Sequence, residues 1–75
     1  MENLYELAVN FGRFIAERDE IHVDEIDEQV VEKALEEFVR QVLKGKKLSE
    51  EEVSLVQIAL EEGMFDGATV NEMEG

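Results

Sequence analysis

The residues best equipped for chemistry lie in one short stretch. His22 is the only histidine, and Asp19, Glu20, Asp24 and Glu25 surround it. An imidazole among carboxylates can hold a divalent cation or pass a proton. The spacing supports neither use. Structural zinc takes four protein ligands and catalytic zinc takes three in a fixed frame, and this chain has no His-x3-His pair. A calcium loop needs a Gly at its sixth position and a different ligand order. We therefore read His22 as a solvent-exposed loop residue.

The remaining reactive types are no better arranged. Ser49 and Ser54 have no histidine placed by sequence to activate them, and Ser49 already has a use as a helix cap. Carboxylates are abundant, but general acid–base work needs one in an apolar pocket with a partner at fixed distance. The five Gly are isolated, so no phosphate-binding loop forms. There is no Cys, which removes disulfides and thiolate zinc sites. The expectation is a protein that is not an enzyme and has no metal or cofactor.

Charge carries more information. Twenty Asp and Glu face seven Lys and Arg, a net charge of −13 on 75 residues, yet 44% of residues are hydrophobic. A disordered acidic chain is poor in apolar residues and cannot offset the entropy of ordering. This composition therefore gives a folded domain with a negative surface. Such a surface opposes direct binding to nucleic acid or to an anionic membrane, since both need basic groups. No apolar run approaches the ~20 residues of a membrane span. The first residues lack the basic region of a signal peptide, so the expected location is cytoplasmic.

A negative surface suits a basic protein partner, and rows of Glu can imitate the phosphates of nucleic acid. It also simply keeps a small protein dispersed. The acids are concentrated: residues 17–37 hold ten acids and two bases. Glu17, Asp19, Glu20, Asp24, Glu25, Glu28 and Glu32 form the expected partner-binding strip. Arg40, Lys44, Lys46 and Lys47 are the one basic cluster. They suit the negative end of a helix dipole, or an acidic strip on a second copy.

The elements that must carry these groups are three helices. Asn3 and Glu6 make a capping pattern, and Leu4, Leu7, Ala8, Phe11, Phe14 and Ile15 follow at helical spacing. A short extended connector spans 19–23. A second helix begins at Asp24 or Asp27 and stops at Lys44-Gly45, where Gly admits a left-handed conformation. Ser49 and Glu52 make a capping box for the third, which Glu61-Glu62-Gly63 ends. The expected fold is all-α, a three-helix antiparallel bundle over 1–65, with helices near 4–18, 25–44 and 50–62. Residues 66–75 are expected as a partly ordered tail with an Asp66-Gly67 turn and a Thr69–Glu72 cap anchored by Val70 and Met73.

The apolar faces of the first two helices are about twice the width that one core needs. That surplus points to a homodimer. Gly12 inside a helix costs about 1 kcal/mol relative to Ala, which is repaid if another backbone comes close. The strip Ala8, Gly12 and Ala16, flanked by Tyr5 and Val9, is the expected dimer contact. Its partner would be helix 1 of a second copy, with helix 2 of the same chain as the alternative. The function expected is a small acidic protein-interaction module, a regulator or inhibitor binding a basic protein surface. The alternative is an assembly subunit of a larger complex docking through apolar helix surface, with Phe65, Val70 and Met73 as its motif.

Overall fold

The computed structural model describes residues 3–68. It is all-α: α1 (Leu4–Arg18), α2 (Glu28–Gln41) and α3 (Glu50–Gly67), with a single 3₁₀ turn at Val23–Glu25 before α2. No strand is present among the described residues. The Thr69–Glu72 cap and the Val70 and Met73 anchors lie outside the described residues.

Each helix starts on a side chain that satisfies an orphan backbone donor. Asn3 Oδ1 accepts from the Glu6 N–H at 2.7 Å. Asp27 Oδ1 accepts from the Val30 N–H at 3.0 Å. At α3 the box is reciprocal: Ser49 Oγ accepts from the Glu52 N–H at 3.2 Å, and Glu52 Oε1 accepts from the Ser49 N–H at 2.9 Å.

The ends depart from expectation. In the 19–23 connector only the middle is extended: residues 19–20 turn, with Glu20 at φ 53°, His22 is extended, and Val23 already opens the 3₁₀ turn. The α-helical part of α2 closes at Gln41, and Lys44 and Gly45 both have positive φ. The Gly45 N–H donates to the Val39 carbonyl at 2.8 Å, so the chain turns at the expected residue. The larger correction concerns α3. It runs on to Gly67, so Gly63 does not end it and Asp66-Gly67 is its last turn. Met64, one residue past the expected end, is fully buried in the core.

Gly63 stays helical because of what lies against it. A Cβ at Gly63 would stand 2.9 Å from the Val9 carbonyl carbon and 3.0 Å from the Arg13 nitrogen. A Cβ at Gly12 would stand 3.1 Å from the Leu60 Cα, and one at Gly67 would stand 2.8 Å from the Arg13 carbonyl oxygen. The α1 and α3 backbones therefore touch, and only Gly leaves room for them. Burial of this seam outweighs the poor helix propensity of Gly.

Most interhelical contact is between α1 and α3, and the sequence neighbours α1 and α2 touch least. The core joins Ala8, Phe11, Ile15 and Ala16 of α1 to Val56, Ala59, Leu60 and Met64 of α3. From α2 come Val31, Ala34 and Phe38, with the Phe38 and Phe11 rings 5.5 Å apart. α2 thus inserts a few side chains but makes no close backbone contact like that of α1 with α3.

Candidate functional site

The shallow seating of α2 leaves a groove along its junction with α3. At the start of α2 it widens into an open cleft of about 550 Å³ lined by Asp27, Glu28, Val31, Glu32, Gln57, Ile58 and Glu61. Val31 is buried beneath the cleft, while Ile58 is 59% exposed at its edge. Four carboxylates thus surround an apolar patch. Asp27 is also the cap of α2, so its carboxylate is fixed in place. Glu28, Glu32 and Glu61 are exposed and, among the described residues, lack any ion pair.

This arrangement suits a partner that brings both apolar and cationic groups. It does not resemble a catalytic centre, which needs a carboxyl held in an apolar pocket with a fixed partner. No group of three or more His, Cys, Asp or Glu among the described residues could hold a metal ion. His22 is half-buried rather than solvent-exposed. Its backbone N–H donates to Glu25 Oε1 at 2.9 Å, and its Nδ1 has no hydrogen-bond partner among the described residues.

The expected acidic strip is divided by the fold. Glu28 and Glu32 reach the cleft. Asp19 is held by Arg18, 2.9 Å from Nε. That hydrogen bond and charge hold its carboxyl below the usual range. Arg18 also reaches Glu37 at 3.0 Å and lowers its carboxyl in the same way. Glu25 holds the 3₁₀ turn through His22. Glu17, Glu20 and Asp24 are exposed but do not line the cleft. Sequence reasoning missed Glu61, because it placed the end of α3 there. The helical spacing of Gln57, Ile58 and Glu61 was the available signal.

The expected dimer strip is used within the chain. Ala8, Gly12 and Ala16 are buried under α3. Tyr5 donates to the Glu62 carboxylate across the same seam, which pushes its phenol up. Val9 is half-buried, with its carbonyl against Gly63. The helix that approaches Gly12 is thus α3, neither helix 2 nor a second α1. Ala8, Gly12 and Ala16 are therefore covered by α3, while Tyr5 and Val9 stay partly exposed at the edge of the seam.

The apolar surface that does remain exposed lies elsewhere. Phe14 is 50% exposed on α1, while Leu55, Ile58 and Phe65 are 40%, 59% and 45% exposed on α3. At 100° per residue the three α3 positions share the side opposite Val56, Ala59, Leu60 and Gly63. No described helix is long and apolar enough to cross a membrane. No protein-family model matches the chain, and comparisons with curated proteins and with solved structures also find no match.

Proposed function

We propose that this chain is a non-enzymatic protein-interaction module that takes a basic, amphipathic segment of a partner into the α2–α3 cleft. The observation that carries this reading is the ring of Asp27, Glu28, Glu32 and Glu61 around Val31 and Ile58. Apolar side chains of the partner would cover Ile58, and flanking Lys or Arg would meet the carboxylates. The cleft concentrates what the whole surface offers diffusely: a net charge of −13 steers a basic partner inward, and the apolar patch retains it. Completion of the fold as an antiparallel three-helix bundle and a homodimer belongs to the same proposal, as does action as a regulator or inhibitor in the cytoplasm.

The test uses a synthetic amphipathic Leu/Lys helix labelled for fluorescence anisotropy. Glu28→Lys, Glu32→Lys and Glu61→Lys together should weaken binding at least tenfold. The same reversal at Glu17, Glu36 and Glu51 changes net charge equally but leaves the cleft intact, and should weaken it far less. Equal losses would mean that the peptide reads net charge alone.

A second reading has its own observation. Leu55, Ile58 and Phe65 give α3 an apolar outer stripe, as in an assembly subunit seated against a larger complex. Binding that persists in high salt and depends on Leu55 and Phe65 would favour it.

A further inference from the structure

The α2–α3 groove has two ends, and they differ in sign. Further along α2 a second, separate pocket is lined by Leu35, Val39, Leu48 and Val53, with Lys46 and Lys47 at its border. Glu28, Val31, Glu32, Leu35 and Val39 fall on one face of α2 at 100° per residue. Neither lysine is ion-paired among the described residues. One face therefore carries an apolar floor, four carboxylates at one end and two ammonium groups at the other. Glu28 and Val39 mark the ends along α2, roughly 16 Å apart at 1.5 Å per residue.

We propose that a second copy of this chain covers the groove, related by a twofold axis through its middle. The pattern is self-complementary. A twofold contact reverses the face of the second copy, so each acidic end meets the other copy's lysines. Leu35, near the axis, meets its equivalent, while Ile58 at the acidic end faces Val39 and Leu48 at the lysine end of the other copy. Two copies repel at long range, so the attraction is local. At 0.15 M salt the Debye length is about 8 Å, which screens that repulsion and leaves contact pairs in place. The inference goes beyond the basic-partner reading: it uses the same cleft but adds the lysine end, which that reading does not need.

Sedimentation equilibrium of the full chain at 0.15 M salt should give twice the chain mass at tens of micromolar. Lys46→Glu with Lys47→Glu should weaken dimerisation at least tenfold, and so should Glu28→Lys, Glu32→Lys and Glu61→Lys together. An equimolar mixture of the two variants restores opposite charges at both contacts and should recover the dimer mass. That recovery also shows that both variants fold. A wild-type chain monomeric up to millimolar, a variant as dimeric as wild type, or a mixture that stays monomeric would overturn the proposal. The lysine variant keeps the acidic cleft. Because the dimer covers the cleft, peptide binding is read on this monomeric variant: if it binds the Leu/Lys helix, a failed dimer leaves the basic-partner reading standing; if it does not bind while the wild type dimerises, the reverse holds.

Discussion

The two junctions that α3 makes are built on opposite terms. Against α1 it presents Ala59, Leu60, Gly63 and Gly67, and the helix backbones touch with no room for a methyl group. Against α2 it presents Gln57, Ile58 and Glu61 across an open cleft. The first junction tolerates almost no added volume, while the second has space and charge to spare. In the proposed reading, rigidity and recognition fall on different sides of one helix. Its buried side makes the stable pair with α1, which leaves the other side and the lightly seated α2 free to meet partners.

The sharpest way to break this contrast is Gly63→Ala. The added Cβ meets backbone, which cannot step aside as a flexible side chain can. We expect a loss of about 3 kcal/mol or more, at the upper end of overpacking costs, read by urea unfolding. Gly12→Ala should behave similarly. A stability unchanged or raised in either variant would mean that the helices do not touch there. Gly45→Ala is the control with free space: nothing lies within 4 Å, and only its φ of 82° resists a side chain. About 1–2 kcal/mol is expected there. Ser49→Ala should cost about 1 kcal/mol, because the Glu52 N–H loses its acceptor.

On the α2 side the effects on stability should be smaller. Reversal of Glu28, Glu32 and Glu61 should move stability by no more than about 0.5 kcal/mol per site while removing peptide binding. A large destabilisation would mean that the cleft carries structure after all. Smallest is the Arg18–Glu37 pair, which is partly exposed and screened. Its folded carboxyl lies below the ordinary value of 4.5. The pair's contribution is therefore present above that value and fades as pH falls through the lowered one. In Arg18→Met a carbon-13 titration should show the Glu37 carboxyl moving up toward 4.5. An unmoved midpoint would remove Arg18 as the cause.

The helix starts were legible because caps are local: Asn3, Asp27 and Ser49 each act within three residues. The pairing of helices was not, because it depends on residues far apart in sequence. Gly12 read correctly as a close-approach position, but Gly63 read as a stop, and only together do they describe one seam. Misplacing the end of α3 also hid Glu61 from the cleft and made the small strip of α1 look surplus. The acidic strip was legible as charge. Its division between the cleft, the Arg18 contacts and the His22 turn depends on how the chain folds back.

The α1–α3 seam also has a consequence in time. Its contacts join positions as far apart as Arg13 and Asp66, which are 53 residues apart. Contacts of such separation require a long loop to close before they repay it, which slows folding. On a ribosome adding roughly 5–20 residues per second, Phe11 and Ile15 wait several seconds for α3. During that interval the nascent chain already carries the ten acids of residues 17–37. Like charge keeps neighbouring unfinished chains apart while their apolar side chains are uncovered. The acidity that we propose draws a basic partner would first protect the chain from aggregating with its own unfinished copies.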